Sequence, residues 1–158
     1  MLIIDGHNLL HSVCKIEEDA KVISEPAMCR ILAAYLRLTG EKAAIVFDGS
    51  GPPDKSGFDG ISNLEVLFAG SGSDADTVIE DKIKASTAPK GLTVVSSDRQ
   101  LQQAARARRA SVVKSEIFWV EVQKQLSRKR APREPSAKRQ GLSQSETEQW
   151  LTIFGIEQ

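Results

Sequence analysis

The chain has 158 residues, of which 41% are hydrophobic, so it is long enough to form one domain with a substantial core. No run of about 18 apolar residues occurs, which predicts no membrane span, and the N-terminus lacks the basic and long apolar segments of a signal peptide. The two cysteines have no metal-motif spacing, so we expect reduced thiols in a cytoplasmic protein.

The formal net charge is zero, but the charges are unevenly distributed. Residues 1–120 carry 14 Lys and Arg against 16 Asp and Glu, whereas residues 121–158 carry 7 against 5. The stretch Lys124–Arg139 alone holds seven basic residues and one Glu. Two interpretations stay open: the basic strip holds the phosphates of a nucleic acid, or it keeps a linker solvated.

Predicted strands and helices alternate along the first 126 residues. Short aliphatic and β-branched runs predict five strands, at Leu2–Ile4, Ala43–Phe47, Leu64–Phe68, Leu92–Val95 and Ala110–Val113. Apolar residues at helical spacing predict four helices, at Glu25–Leu38, Asp74–Ser86, Asp98–Arg108 and Ser115–Leu126. This alternation predicts an α/β fold with a mainly parallel central sheet and helices on both faces.

Local signals add detail to these elements. Ser24 is a candidate N-cap for the first helix, and Gly40 is its predicted end. Between the second and third strands, Gly49–Ser62 is rich in Gly, Pro and Asp, which predicts a long loop. We expect the last helix of this region to bury four apolar side chains, those of Ile117, Phe118, Val120 and Val122.

The C-terminal part has a different composition. We expect a basic flexible linker over residues 127–142, which contain two prolines and few large apolar residues. Residues 143–158 predict a short amphipathic helix, with Trp150, Leu151 and Phe154 on one face. This helix either docks on the domain formed by residues 1–126 or binds a partner.

Several carboxylates fall where predicted strands end. Asp5, Asp48 and Asp98 follow three strands directly or closely, and Asp74 and Asp76 open the helix after a fourth. In an open α/β sheet, ligands bind outside the carboxyl ends of the strands. Carboxylates gathered there need a cation or a raised pKa, and oxygen ligands suit Mg²⁺ and Mn²⁺. The pattern therefore predicts metal-dependent phosphoryl chemistry.

Each of these acids, taken alone, also has a structural explanation. Ser73 with Asp76 has capping-box spacing, and Ser97 is a candidate cap for the helix that begins at Asp98. Capping does not explain Asp5.

Two further polar residues have open roles. Asn8 either orients Asp5 or contacts a phosphate. Glu80 shares a helix face with Asp76, so it is either a second carboxylate at the metal or a solvated charge.

Four motifs, taken in order, resemble a known family. MLIIDGHN at the N-terminus, VFDG after the second strand, then SDADTVIE and TVVSSDRQLQ are similar to the YacP-like group of NYN domains, which are PIN-like metal-dependent ribonucleases. The resemblance covers roughly residues 1–126. It implies a PIN-like three-layer α/β/α sandwich.

The resemblance also implies roles for individual residues. Its catalytic residues would be Asp5, Asn8, Asp76 and Asp98. Of these, Asp5, Asp76 and Asp98 would bind Mg²⁺ or Mn²⁺, and Asp48 would line the pocket. Asp74 and Glu80 are further metal candidates, and Ser97 a further pocket-lining candidate, whose roles do not come from the resemblance. The implied activity is endonucleolytic cleavage of RNA to 5′-phosphate and 3′-hydroxyl ends. Characterised relatives include ribosome-associated enzymes that cut messenger RNA, so the ribosome is a candidate partner.

Basic residues supply candidates for contacts to the RNA backbone. They lie around the fourth helix and at the start of the basic strip: Arg99, Arg106, Arg108, Arg109, Lys114, Arg128, Lys129 and Arg130. Two rival functions are a non-catalytic RNA- or ribosome-binding module and a DNA nuclease of the flap type. The second normally carries more acids and a helical arch, which this chain lacks.

Overall fold

The fold is built on one central sheet, seen in a computed structural model that describes residues 1–16 and 23–130, the last two of these as backbone only. The strands are β1 (Leu2–Asp5), β2 (Ala43–Phe47), β3 (Leu64–Phe68), β4 (Thr93–Val95) and β5 (Ser111–Val113). The helices are α1 (Gly6–Ile16), α2 (Glu25–Thr39), α3 (Ala75–Ala85), α4 (Arg99–Ala107) and α5 (Ser115–Arg130).

All five strands are parallel, in the order β3-β2-β1-β4-β5. The central strand β1 pairs with β2 on one side, where Asp5 lies opposite Val46, and with β4 on the other. Every residue of β2 is buried, as expected for a parallel strand covered on both faces. The strand order reverses between β1 and β4, which makes their carboxyl ends the expected ligand-binding crevice.

Helices cover both faces of the sheet. One apolar core joins the sheet to α1, α2 and α5 and contains the fully buried Trp119, Phe47 and Leu32. The other core joins it to α3 and α4 through Ile79 and Leu101. The predicted three-layer α/β/α sandwich is therefore confirmed.

The predicted start and end of α2 are confirmed. Ser24 Oγ accepts a hydrogen bond of 3.2 Å from the Ala27 N–H, and Gly40 adopts the left-handed conformation with φ 73°.

The caps of α3 and α4 differ from the prediction. Asp74 Oδ1 accepts from the Thr77 N–H at 2.8 Å, and Asp98 Oδ1 accepts from the Gln100 N–H at 2.8 Å. Neither Ser73 nor Ser97 is the capping residue, because the aspartate directly after each serine occupies the N-cap position.

Two stretches depart from the sequence-based expectation. No helix was predicted at residues 6–16, yet α1 begins directly after β1 without an intervening loop. In α5, Ile117 is 61% exposed and Val120 is 53% exposed, so their predicted burial is wrong. The buried face of α5 instead contains Trp119, Val122 and Leu126, which recur at spacings of three and four residues.

The remaining expectations fall in loops and at the C-terminus. Residues 49–62 are irregular apart from a short 3₁₀ turn at Ser56–Phe58. Helix α5 continues through Arg130, and the predicted helix at 143–158 with most of the predicted linker lies outside the described residues. Within the described ranges, no helix is both long and apolar enough to cross a membrane.

Candidate active site at the carboxyl edge of the sheet

Asp5 lies at the centre of the candidate site. It is the last residue of the central strand, and it is only 6% exposed. Burial, together with the negative charges of Asp76 and Asp48, raises the pKa of its carboxyl to about 6. Hydrogen bonds from the Asn8 backbone and the Ser96 hydroxyl oppose the shift without cancelling it. Asp5 is therefore a buried acid in a field of like charges.

Asp76 brings a second acid to the same edge. It lies in the first turn of α3, and partial burial raises the pKa of its carboxyl. The further causes of this raised pKa are four neighbouring acids: Asp98, Asp74, Asp48 and Glu80. The structure therefore brings together the acids that the sequence analysis placed at separate strand and helix ends.

Asp48 connects β2 to the start of α3. Its Oδ1 accepts a 2.8 Å hydrogen bond from the Ala75 N–H, which places Asp76 beside the strand ends. The Asp48 backbone N–H donates to His7 Nδ1 at 3.2 Å, and His7 Nε2 lies 3.1 Å from Glu25 Oε1. Since Nδ1 accepts the backbone hydrogen bond, the proton of a neutral His7 belongs on Nε2, facing Glu25.

Ser96 links β4 to the central acid. Its hydroxyl donates to Asp5 Oδ2 at 3.2 Å and accepts from the Asp98 N–H at 3.1 Å. Gln102 Nε2 donates to the Ser96 carbonyl at 2.9 Å and fixes this fully buried residue. Ser96 thus sets the position of Asp98 relative to Asp5.

Asn8 supports the site through both its side chain and its backbone. Its side-chain Oδ1 accepts from the Ser97 N–H at 2.9 Å and from Ser115 Oγ at 2.6 Å, while its backbone hydrogen-bonds Asp5. The side-chain oxygen therefore holds the segment after β4, while the backbone contacts Asp5.

Ser97 and Glu116 extend this polar network. Ser97 Oγ donates to Glu116 Oε2 at 2.6 Å, and Ser12 Oγ donates to Glu116 Oε1 at 3.2 Å. The Ser97 hydrogen bond, followed by the backbone and Ser12, lowers the pKa of the Glu116 carboxyl. The Ser97 hydroxyl is therefore hydrogen-bonded to Glu116 of α5.

Two predicted metal candidates already have partners. Hydrogen bonds from Thr77 lower the pKa of Asp74, whose carboxylate caps α3. Glu80 Oε1 accepts from Gln100 Nε2 at 3.1 Å, which joins α3 to α4. Both acids border the cluster and contribute negative charge to Asp76.

The basic candidates divide into two groups. Arg99 begins α4 and Lys114 precedes α5, so both are exposed at the carboxyl edge of the sheet. The others lie toward the far ends of α4 and α5: Arg106, Arg108, Arg109, Arg128, Lys129 and Arg130. Arg108 there donates to the carbonyls of Lys84 and Ser86, at 3.2 Å each, and ties α4 to α3. Because α4 and α5 begin at the carboxyl edge, their far ends lie away from it.

The order of the motifs and this edge of acids agree with a family comparison. The family model described as the YacP-like NYN domain matches residues 2–154. The chain belongs to this family. A YacP-like NYN domain implies a nuclease-type function related to RNA. Among curated proteins, none matches the chain significantly.

Solved structures show the same fold. The chain is similar to crystal structures of Rae1 (YacP) from Bacillus subtilis, at a TM-score of 0.66 and 22% identity over 98% of this chain and 91% of that one. For a point mutant of the same protein the TM-score is 0.61, with 23% identity over 80% of this chain and 77% of that one. At these identities the likeness supports the PIN-like fold.

Nucleases of the NYN and PIN type usually use divalent metals, and the donors present here fit one chemically. Asp5 and Asp76 are carboxylates whose pKa values are raised by burial and by neighbouring acids, a strain that a cation relieves. Within residues 1–16 and 23–130, however, no three His, Cys, Asp or Glu side chains form a ready-made ligand group. Because Mg²⁺ is usually bound through one or two carboxylates together with waters, this finding is compatible with a cation on Asp5 and Asp76.

Four residues that the sequence analysis missed support the site. Ser96, Ser115, Glu116 and His7 hold the acid-bearing segments through hydrogen bonds. Ser96 follows a strand and directly precedes Ser97 and Asp98, so its position was a signal. The role of Glu116 had no signal, because it depends on a contact between residues 19 positions apart.

Proposed function

We propose that this protein is a metal-dependent endoribonuclease that cleaves RNA phosphodiesters to 5′-phosphate and 3′-hydroxyl ends. The observation that carries the proposal is the convergence of acids on buried Asp5 at the point where the strand order reverses. A buried acid with a pKa of about 6 and other carboxylates around it destabilises the fold. Such groups are found mainly at functional sites.

The acids would hold the cation, with Asp5 and Asp76 at the centre and Asp98 beside them. The candidate ions are Mg²⁺ and Mn²⁺, which prefer oxygen ligands. The chemistry that such a cation supplies is activation of an attacking water and neutralisation of charge on the leaving oxygen. Ser96 would keep Asp5 oriented, and Asp48 would keep the start of α3 against the strand ends.

The ends of several helices favour an anionic substrate at this edge. Helices α1, α3, α4 and α5 all begin there, each following a strand. Helix N-termini carry partial positive charge, which suits phosphates. Arg99 and Lys114 add two exposed cations at the same edge. The RNA backbone would therefore cross the helix N-termini while one phosphate enters the acidic site.

Cleavage of a labelled single-stranded RNA tests the proposal directly. We expect cutting in Mn²⁺ or Mg²⁺, none in EDTA, and 5′-phosphate ends on the downstream products. Products that end in a 2′,3′-cyclic phosphate would contradict the mechanism, because they arise from attack by the ribose 2′-hydroxyl. Messenger RNA on the ribosome is a candidate biological substrate, and the same assay on translating ribosomes tests it.

One observation favours a second candidate, a non-catalytic RNA-binding module. The acids of the described residues do not form a ready-made metal ligand group. This function predicts salt-dependent RNA binding in both the natural protein and Asp5→Asn, with no cleavage by either on free RNA or on ribosomes.

A further inference from the structure

A cleft of about 450 Å³ lies beside the acidic site, between β3 and the loop that follows β2. It is lined by residues of this loop, of β3 and of the turn after it: Ser50, Lys55, Phe58, Val66, Leu67, Phe68 and Gly70. A volume in this range suits a small organic group. None of these residues belongs to the acidic cluster.

Two aromatic rings form walls of the cleft. Phe58 and Phe68 are both partly exposed and meet edge to face, with centroids 5.5 Å apart and an interplanar angle of 72°. The fully buried Phe47 stacks on Phe68 at 5.7 Å, so the Phe68 ring is held from the core. Rigid, partly exposed rings of this kind are the platforms on which single-stranded nucleic acids stack their bases.

Lys55 adds a positive charge to the cleft. Its ammonium lies 5.6 Å from the centroid of the Phe68 ring, and its side chain is exposed. In the described part of the chain it has no carboxylate within salt-bridge distance. It is thus able to bind a phosphate without breaking an ion pair.

The cleft and the acidic site are joined by a short stretch of backbone. Gly70, which lines the cleft, donates to the Gly49 carbonyl at 2.9 Å, and Gly49 directly follows Asp48. The other wall, β3, is the edge strand of the sheet among residues 1–16 and 23–130, where its outer backbone groups have no neighbouring strand. Such groups offer hydrogen bonds to the edge of a base.

We propose that this cleft binds the base of an unpaired RNA nucleotide near the scissile phosphate, stacked on Phe58 beside the Phe68 ring, with Lys55 on the adjoining phosphate. The inference rests on the proposed function and adds to it a preference for single-stranded RNA. A base-paired nucleotide is stacked within its helix, so it has no free face for these rings. The alternative occupant, a peptide strand added to β3, would need neither Lys55 nor a nearby acidic site.

Binding of a fluorescein-labelled single-stranded RNA decamer to the full chain in EDTA tests the proposal without depending on cleavage. We expect Phe58→Ala to weaken binding about 5- to 150-fold, because stacking on one aromatic side chain contributes this much. Phe58→Leu keeps an apolar side chain for packing and should still weaken binding, whereas Phe58→Tyr keeps the ring and should bind like the natural protein. Thermal unfolding of each variant shows whether it is folded.

Lys55→Gln has its own readout and a matched control. We expect the slope of the logarithm of affinity against the logarithm of salt concentration to fall by about 0.7, the value for one phosphate contact to a single strand. Lys90→Gln changes an exposed lysine just before β4, away from the cleft, and should leave the slope unchanged.

Decamers with one abasic nucleotide, placed at each position in turn, separate a base from other occupants. We expect a loss of affinity concentrated at one position, and this loss should disappear in Phe58→Leu. Equal affinity of Phe58→Leu, Phe58→Tyr and the natural protein would overturn the proposal, as would absence of RNA binding, and would leave the cleft to a peptide strand. A base-dependent loss in a protein that never cleaves RNA would sustain the subsite and refute only the nuclease function.

Discussion

The Ser115 hydroxyl donates a 2.6 Å hydrogen bond to the Asn8 side-chain oxygen, which joins the first and last described helices across 107 positions of the chain. The same oxygen accepts from the Ser97 N–H at 2.9 Å. Ser97 directly precedes Asp98, an acid of the candidate site. One amide oxygen therefore fixes the geometry between the ends of β1 and β4 and the start of α5.

Two replacements of Asn8 test the role of its side-chain oxygen as a hydrogen-bond acceptor. Asn8→Ala leaves the Ser97 N–H and the Ser115 hydroxyl without this acceptor, which should lower the free energy of unfolding by about 1–3 kcal/mol. Asn8→Asp keeps an oxygen acceptor and should lower the free energy of unfolding by a smaller amount. Urea unfolding at neutral pH measures the difference, and equal losses in the two variants would contradict the acceptor role.

Gly6 should be intolerant of any side chain. A Cβ at Gly6 would collide with ring carbons of Phe47 and lie 2.9 Å from the Val46 carbonyl oxygen. Phe47 is fully buried and cannot move aside cheaply, so Gly6→Ala should destabilise the protein by about 1–3 kcal/mol. Gly72→Ala is the matched control, since a Cβ there meets nothing within 4 Å. Similar melting temperatures for the two variants would refute this packing.

Metal-free stability should fall as the pH rises through the range in which Asp5 ionises. Its pKa is about 6 in the folded protein against the ordinary 3.8, so the folded state binds this proton more tightly than the unfolded state. The free energy of unfolding should therefore decrease between these two pH values, by at most about 3 kcal/mol from this group. In EDTA, Asp5→Asn should remove this decrease and be the more stable protein at neutral pH. An unchanged pH profile in Asp5→Asn would show that Asp5 is not the group responsible.

Added Mn²⁺ should reverse this behaviour. A cation binds the ionised form of Asp5, so protons compete with it below a pH of about 6. We expect Mn²⁺ to raise the melting temperature more at neutral pH than at pH 5, and to raise it little in Asp5→Asn. The same stabilisation at both pH values would place the binding site elsewhere.

The sheet could be predicted from the sequence because its strands are short, mostly apolar runs bounded by polar residues. Ala43–Phe47 and Leu64–Phe68 were placed at both ends as the structure has them. Helix α1 was missed because it begins at Gly6 immediately after a strand, and a Gly-His-Asn run is typical of a loop. Its buried positions Leu9 and Val13 have helical spacing, but this signal is short.

The acids of the site could be predicted because parallel strands end at one edge of the sheet. Their supporting network could not, since the hydrogen bonds of Ser115 and Glu116 depend on α5 packing against α1. The exposure of Ile117 and Val120 was also beyond the sequence, because α5 has apolar residues on more than one face and only packing selects between them. Long-range contacts decided what local patterns left undetermined.

RNA cleavage rates of Asp76→Asn and Asp81→Asn in Mn²⁺ test whether the carboxylate cluster is the active site. Both acids lie on α3, but only Asp76 is among the acids of the site, while Asp81 is exposed. We predict that Asp76→Asn slows cleavage at least about 10- to 100-fold, the cost typical even of residues that only support a metal site. Asp81→Asn should cleave like the natural protein. Equal rates in the two variants would contradict the assignment of this carboxylate cluster as the active site.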